Sequence, residues 1–316
     1  MHTFLITGGA GFIGTNLINT LINDARIICV DNFNNYYDPE IKENNIKKFL
    51  NNENFELYRE DICNAEVIEK IVKTTKPDCI INLAARAGVR DISSPNLYID
   101  TNITGTVNLL ETAKKYNIKK IITASSSSVY GNLNGEKFNE DMKTNKPVSI
   151  YAATKIASEN LCYAYSHLFG LNIICLRFFT VYGPCQRPDM AIHKFTKCIS
   201  EDKPIELYGN GETARDYTYV DDIVQGIIKC IDYETNFEIF NLGSDSVVKL
   251  KDLVSLISEK MNKKAKINYL PLPKTDVFYT ASDISKAKKL LGYEPEIKIE
   301  RGIEKFVKWF EHERYC

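Results

Sequence analysis

The sequence predicts an α/β fold in which helices cover both faces of a doubly wound parallel sheet. Strand-like and helix-like segments alternate up to Leu176, and the strand-like segments are continuously apolar. Strands buried on both faces have this composition, and a helix between successive strands makes them parallel. A glycine-rich turn directly after the first strand adds a nucleotide-binding signal. We therefore expect ligands at the carboxyl ends of the strands.

The predicted elements alternate regularly along this part of the chain. Strands are expected at residues 4–7, 26–30, 55–58, 79–83, 121–124 and 173–176. Helices are expected between them at residues 15–23, 39–50, 65–73, 96–116 and 151–169. Asp31, Asp61, Ala84 and a serine run at residues 125–128 all follow strands, so they should share one edge of the sheet.

Composition and charge exclude several classes of function. The chain has 316 residues, 44% of them hydrophobic, which suits one large α/β unit or two domains with a shared core. The formal net charge of −1 predicts no nucleic-acid partner. The nine cysteines include no CxxC pair and no metal-ligand spacing, so we expect no metal and a reducing cytoplasm. Without a long apolar span, no membrane association is expected.

The first strand, turn and helix predict a dinucleotide site. Gly8, Gly11 and Gly14 permit a tight turn, close approach of a pyrophosphate and close helix packing. The N-terminus of the following helix offers oriented N–H groups to the phosphates. The second strand ends at Asp31, whose carboxylate can accept hydrogen bonds from ribose hydroxyls. It would repel a 2′-phosphate, so we predict NAD rather than NADP as the cofactor.

Tyr151 and Lys155 are the centre of a predicted proton-transfer site. Their i, i+4 spacing places both side chains on one helix face. A tyrosine keeps its proton up to pH ~10, and a nearby ammonium favours the phenolate, so Lys155 is expected to lower the pKa of Tyr151. Ser126, at the end of the preceding strand, can hydrogen-bond the same substrate hydroxyl. The spacing alone is weak evidence, because Tyr116 and Lys120 repeat it without a serine cluster upstream.

Eight motifs extend the argument over nearly the whole chain. They are TGGAGFIG, VDN at Asp31, DI at Asp61, NLAARAG, SSSSVYG, YAATK, LRFFTVYGP and RDYTYVDD. Together they resemble the extended short-chain dehydrogenase/reductases, and specifically the nucleotide-sugar epimerases. The stretches NNYYDP, AGVR, SSSSVYG, FFTVYGP and RPDMA resemble the UDP-glucuronate 4-epimerase subgroup more than the UDP-glucose or UDP-N-acetylglucosamine enzymes.

The resemblance implies a set of NAD contacts from the pyrophosphate to the nicotinamide. The pyrophosphate would meet Gly8, Gly11, Phe12, Ile13 and Gly14, the adenosine ribose Asp31, Asn32 and Asn35, and the adenine Asp61 and Ile62. Toward the nicotinamide it implies Leu83, Ala84, Ala85, Ala87, Asn102, Tyr151, Lys155, Phe178 and Phe179. Asn102 has an equally weighted alternative, an amide used for helix capping or packing.

The resemblance also implies two domains and a dimer. Prolines and a glycine-rich turn break the strand–helix rhythm after residue 176. The NAD-binding domain would comprise residues 1–179 and 219–243, with a further helix and strand in its second part. A smaller C-terminal α/β substrate domain would comprise residues 180–218 and 244–316, in which helices at 250–261, 283–291 and 303–309 serve packing. A homodimer would form through helices 96–116 and 151–169.

Residues of the second half are expected to hold a UDP-sugar. Arg215 suits a diphosphate because its guanidinium donates two parallel hydrogen bonds, and the alternative is a salt bridge to Asp216 or Asp221. Tyr208 is expected to contact uridine, with a core tyrosine as the alternative. Asp276 would take the uridine ribose, although Pro273-Lys-Thr-Asp276 departs from the Pro-Gly-Asp of the family.

The residues after Ser126 distinguish between related reactions. Related dehydratases carry an Asp-Glu pair there and decarboxylases a Glu, whereas this chain has Ser127 and Ser128. The expected reaction is therefore 4-epimerisation through a transient 4-ketone, with NAD recycled. Hydroxyls of Ser127, Ser128 and Thr180 would hold a sugar carboxylate, with Arg90 and Arg187 in nearby loops. Arg187 would face the carboxylate or close over the diphosphate, and the alternative is a surface arginine. This predicts UDP-glucuronate and UDP-galacturonate as the substrate pair. The alternatives are epimerisation of UDP-glucose or N-acetylhexosamines, decarboxylation of UDP-glucuronate, and a non-catalytic NAD sensor.

Overall fold

Twelve strands lie in the part of the chain that the computed structural model describes, which is residues 1–90, 93–133, 137–271, 273 and 277–313. They are β1 (His2–Thr7), β2 (Ala25–Val30), β3 (Phe55–Tyr58), β4 (Cys79–Asn82), β5 (Lys120–Ser126), β6 (Asn172–Phe178), β7 (Thr180–Tyr182), β8 (Pro204–Tyr208), β9 (Ala214–Tyr219), β10 (Phe237–Leu242), β11 (Val247–Lys249) and β12 (Lys266–Leu270).

Eleven α-helices lie in the same described residues. They are α1 (Phe12–Leu21), α2 (Pro39–Lys47), α3 (Ala65–Thr75), α4 (Pro95–Ile99), α5 (Gly105–Tyr116), α6 (Ile150–Phe169), α7 (Ala191–Ser200), α8 (Val220–Ile231), α9 (Leu250–Lys260), α10 (Ser285–Leu291) and α11 (Ile299–Glu313). A π-helical segment, Asp100–Thr104, joins α4 to α5. The helix predicted at residues 96–116 is therefore interrupted by one wide turn.

Seven parallel strands form the central sheet in the order β10-β6-β5-β4-β1-β2-β3. Successive side chains point to opposite faces, so Leu5 and Ile28 join one buried cluster while Ile6 and Cys29 join the other. Helices cover both clusters, which explains why each strand is apolar throughout. The predicted doubly wound parallel sheet is confirmed, and the expected helix and strand after residue 219 are α8 and β10.

The second half adds smaller sheets beside the carboxyl edge of the large one. One has the order β11-β9-β7, with β11 antiparallel and β7 parallel to β9. The other pairs β12 with β8 in parallel. Helices α7, α9 and α11 pack around them, so the smaller C-terminal α/β region is confirmed, while its exact boundaries stay a prediction. In the described residues no helix has both the length and the apolar character to cross a membrane.

Candidate active site

Two adjoining cavities open at the carboxyl edge of the central sheet. The first has a volume of about 450 Å³ and the second about 530 Å³, both within the usual range for small-molecule sites. Six residues line both cavities and mark the boundary between them: Tyr36, Gly88, Val89, Ser127, Ser128 and Thr180. A ligand with two parts could therefore extend across this boundary.

The glycine turn that borders the first cavity has no room for a side chain at Gly8 or Gly14. Gly8 has φ +68°, and a Cβ there would lie 2.8 Å from the backbone nitrogen of Ala84. A Cβ on Gly14 would lie 2.4 Å from the carbonyl oxygen of Gly8. Helix α1 begins after Gly11, where no side chain caps its first N–H groups. Such a helix start suits the pyrophosphate of a dinucleotide.

Asp31 lies at the end of β2 in the first cavity, as predicted. Its carboxylate accepts hydrogen bonds from the N–H groups of Ala10 (3.2 Å) and Phe33 (2.9 Å). The Lys42 ammonium, which the sequence analysis did not single out, lies 3.7 Å away and also lines the cavity. Burial raises the pKa of Asp31, while the charge of Lys42 opposes this rise.

The adenosine end of the cavity differs from the prediction in one residue. Asn32, Asp61 and Ile62 line it, and the Asn32 amide donates to Asp61 at 2.7 Å. Asn35 is solvent-exposed and lies outside the lining, whereas Asn34 belongs to it. The structure therefore does not support Asn35 as a lining residue, and the neighbouring Asn34 takes its place in the turn after β2.

The opposite end of the cavity contains most of the residues predicted to border the nicotinamide. Leu83, Ala84, Ala85, Ala87, Phe178 and Phe179 line it. Asn102 does not: it is buried, its amide donates to the Arg86 carbonyl and to Thr154 (both 3.0 Å), and it accepts from the Arg86 N–H at 2.8 Å. These contacts support the packing alternative for Asn102, which holds the loop after β4 against helix α6.

Ser126, Tyr151 and Lys155 converge on the first cavity, as the motif spacing predicted. The Ser126 hydroxyl accepts a hydrogen bond from the Ser128 N–H at 3.1 Å. The Lys155 ammonium donates to the carbonyl of Ala124 at 2.7 Å and lies 5.9 Å from the centre of the Tyr151 ring. Burial lowers the pKa of Lys155 to about 8.

The pKa of Tyr151 reflects opposing effects. Burial raises its pKa, and this exceeds the lowering by the Ser126 hydrogen bond and by the charge of Arg187. The Lys155 ammonium donates to the carbonyl of Ala124 in this structure. The expected lowering of the Tyr151 pKa by Lys155 stays a prediction.

Tyr116 and Lys120, the second pair with the Tyr-x-x-x-Lys spacing, have a structural role. Tyr116 ends helix α5, and its hydroxyl donates to Glu69 at 2.9 Å. Lys120 begins β5 and donates to the carbonyl of Tyr233. Neither residue lines a cavity, so the serine cluster upstream of Tyr151 was the signal that distinguished the two copies.

Besides Ser127, Ser128 and Thr180 at the boundary, the second cavity contains three further residues predicted to hold the UDP-sugar. Arg90, Tyr208 and Arg215 line it, with the Arg90 guanidinium 4.7 Å from the centre of the Tyr208 ring. Arg215 donates to the carbonyls of Ala214 (2.9 Å) and Phe278 (3.1 Å). Tyr208 is thus a wall residue rather than a core tyrosine.

The salt-bridge alternative for Arg215 is not seen. The buried carboxylate of Asp216 accepts hydrogen bonds from Thr218, Ser244 and Ser282, and Asp221 lies 3.4 Å from Lys305. Asp216 instead holds the smaller sheets to the segment after residue 280. Asp276 lies outside the described residues.

Arg187 lies in the first cavity, beside the boundary. It forms a salt bridge with Asp189 at 3.0 Å, and its guanidinium lies 5.3 Å from the centre of the Tyr36 ring. It is therefore a cavity residue rather than a surface arginine. Among the described residues, no group of three or more His, Cys, Asp or Glu side chains is arranged to hold a metal ion.

Comparison with known proteins gives the family. Residues 5–306 match the family model described as GDP-mannose 4,6 dehydratase. The chain belongs to this family. It is 45% identical to a UDP-glucuronate 4-epimerase of Thermodesulfobacterium geofontis over 312 residues, 98% of this chain and 96% of that protein. Both results identify it as an extended short-chain dehydrogenase/reductase of the epimerase type.

Solved structures of related enzymes match the fold of this chain over nearly its whole length. The UDP-glucuronic acid 4-epimerase of Bacillus cereus, crystallised with UDP-glucuronic acid and NAD, is 35% identical with a TM-score of 0.92, covering 98% of this chain and 99% of that one. A UDP-glucose 4-epimerase of Thermotoga maritima, crystallised with UDP-glucose, is 31% identical with a TM-score of 0.91, covering 99% of each chain. Since both share the fold equally, the residues of the site must decide the sugar.

Proposed function

We propose that this protein catalyses NAD-dependent 4-epimerisation of UDP-glucuronate to UDP-galacturonate through a transient 4-keto sugar. The observation that carries the proposal is the boundary between the cavities, where Ser127, Ser128 and Thr180 offer hydroxyls beside Ser126 and Tyr151. Ser127 and Ser128 stand at the positions where the related dehydratases and decarboxylases carry acids. The relatives named above support both the substrate and the cofactor.

The first cavity fits NAD. The glycine turn admits a pyrophosphate at the start of α1, and Asp31 and Lys42 lie where an adenosine ribose would follow. NAD held by these residues would supply the hydride chemistry, namely removal of the hydrogen at sugar carbon 4 and its return to the other face of the ketone. Its recycling within each turnover makes the overall reaction an isomerisation.

Tyr151 is the proposed base and acid. It takes the proton of the sugar 4-hydroxyl as the carbon–oxygen bond becomes a ketone, and it returns this proton when the hydroxyl re-forms. Ser126 orients the hydroxyl, with its own Oγ fixed by the Ser128 N–H. Lys155 is placed to bind the nicotinamide ribose. The Ser126 hydrogen bond and the Arg187 charge favour the phenolate.

The sugar carboxylate needs a site that prevents its loss. A 4-ketone beside a carboxylated carbon is a β-keto acid, and such acids lose carbon dioxide readily. Hydroxyls of Ser127, Ser128 and Thr180 can fix the plane of the carboxylate without stabilising the charge that develops on decarboxylation. Arg187, held by Asp189, contributes a cation at the side of this site.

Incubation of the purified protein with UDP-glucuronate, followed by ion-exchange separation of the products, tests the proposal. The expected product is UDP-galacturonate, formed without added reductant. UDP-pentose as the main product would indicate a decarboxylase, and preference for UDP-glucose or an N-acetylhexosamine would indicate a sister epimerase. No turnover of any UDP-sugar would favour an NAD-binding sensor.

We also propose that the protein is a cytoplasmic homodimer. Leu97 and Ile99 on α4 and Tyr163 and Phe169 on α6 are large apolar side chains that stay between 42% and 57% exposed on the helices predicted to pair. The eight described cysteines are all free, which supports a reducing compartment. Light scattering at micromolar protein should give the mass of two chains, and the mass of one chain would contradict the dimer.

A further inference from the structure

Helix α6 is joined to the end of β5 by three successive contacts. Tyr151 and Ser126 line the same cavity, where the Ser126 hydroxyl lowers the pKa of the Tyr151 phenol. The Lys155 ammonium donates to the carbonyl of Ala124, and Glu159 accepts from the hydroxyl of Ser125. Tyr151, Lys155 and Glu159 are spaced i, i+4 and i+8, so they follow one another along the same helix face. Two of these contacts involve the proposed catalytic residues, and the third lies one helical turn further along α6.

The third contact contains a buried ion pair. Arg177 on β6 donates to both oxygens of Glu159, at 2.9 Å and 2.8 Å. The side chains of Arg177 and Glu159 are only 3% and 7% exposed. Removing two charges from water can consume the whole gain from their attraction, so such a pair is weak evidence for a role in stability. A bidentate pair does, however, fix the relative position of the elements that carry it.

Arg177 extends this connection to the second half of the chain. It donates to the hydroxyl of Tyr130 at 2.9 Å, and this hydroxyl donates to Asn241 at 2.7 Å. The Asn241 amide donates to the carbonyls of Phe138 (2.7 Å) and Asp283 (3.2 Å). The network thus joins β5, α6, β6 and β10 to the segment after residue 280.

We propose that Glu159 and Arg177 are a positioning pair for the proton-transfer site, acting through Ser125. Neither charged residue lines a cavity, so neither touches the ligands. By holding Ser125 they fix the residues on either side of it, Ala124 and Ser126, against Lys155 and Tyr151. This proposal rests on the proposed epimerase function.

Two single variants test the pair. Ser125→Ala removes the contact to Glu159 and leaves the ion pair, and Glu159→Gln removes the charge at nearly constant size. We expect kcat with UDP-glucuronate to fall at least about tenfold in each, while KM and the NAD content of the purified protein stay near wild type. In Ser125→Ala the acidic limb of the kcat profile should move to higher pH, because a displaced Ser126 no longer favours the Tyr151 phenolate.

Two further variants separate positioning from folding. Ser166→Ala is the matched control: this buried serine on the same helix donates to the carbonyl of Asn236 at 2.8 Å, far from the cavities. It should leave kcat and its pH profile unchanged. The double variant Glu159→Leu/Arg177→Met leaves no unpaired charge, so it should melt near the wild-type temperature yet keep the low kcat.

The outcomes distinguish the two proposals. If the wild-type enzyme converts UDP-glucuronate and the Ser125→Ala and Glu159→Gln variants have the same kcat, the positioning role alone is overturned. Recovery of both melting temperature and kcat in the double variant would do the same, because the pair would then serve only folding. Absence of wild-type turnover on UDP-glucuronate would overturn the proposed function, and the positioning role with it.

Discussion

The two cavities differ in the origin of their walls. Most of the first is formed by residues that directly follow β1, β2, β4, β5 and β6, so the edge of a parallel sheet brings them together. The second is formed by side chains such as Arg90, Lys194, Tyr208 and Arg215, which come from a loop, helix α7 and two small sheets. Cofactor binding in this chain is thus determined by topology, and sugar selection by individual side-chain positions.

The largest expected effect comes from the first cavity. Tyr151→Phe removes only the proton carrier, so kcat should fall by roughly 10²–10⁴-fold while NAD stays bound. Steady-state kinetics and the absorbance of the released cofactor measure both quantities. Tyr116→Phe is the matched control. It removes a tyrosine hydroxyl from the same Tyr-x-x-x-Lys spacing, and this hydroxyl donates to Glu69. A Tyr151→Phe enzyme with more than about a tenth of the wild-type rate would exclude this residue as the base.

A smaller effect is expected at the boundary between the cavities. Thr180→Ala removes one hydroxyl proposed to fix the sugar carboxylate, so the share of UDP-pentose among the products should rise while most turnover remains. Thr196→Ala, which removes a buried hydroxyl that donates to the carbonyl of Ile192 within α7, should leave the product ratio unchanged. An unchanged ratio in Thr180→Ala would show that the carboxylate is held elsewhere.

The smallest effect is expected in the helices that support the second cavity. Burial lowers the pKa of His193 on α7 to about 4, with a further lowering by Lys197 and opposition from Asp189. The folded protein therefore prefers neutral His193, whereas the unfolded chain protonates it near pH 6.5. This part of the stability is present above pH 6.5 and is lost as the pH falls toward 4.

His193 packs edge-on against Phe306, Trp309 and Phe310 of α11, so an aromatic replacement suits the site. Unfolding of His193→Phe in urea between pH 7 and 4 should show a weaker loss of stability than wild type. His167→Phe, at the exposed end of α6, is the control. If the stability of wild type and His193→Phe depends on pH to the same extent, His193 is not the cause of this loss of stability.

The sequence was sufficient for the sheet, the glycine turn and the Ser126–Tyr151–Lys155 set, because each depends on local spacing. It was insufficient wherever a long side chain crosses between elements. Lys42 reaches Asp31 from helix α2, and Arg177 reaches Glu159 from strand β6, and neither contact has a sequence signature. Asn102 shows the same limit, since its amide is occupied by a loop and a helix that only the fold brings together.

The fate of the hydrogen at sugar carbon 4 tests the central claim most directly. UDP-glucuronate carrying deuterium at this carbon should be incubated with the purified protein in ordinary water, without added NAD, and the products analysed by mass spectrometry. Our account predicts UDP-galacturonate that keeps the deuterium at carbon 4, because the same hydride is taken up and returned inside the site. UDP-galacturonate that has exchanged it for solvent hydrogen, or UDP-pentose in its place, would contradict the account.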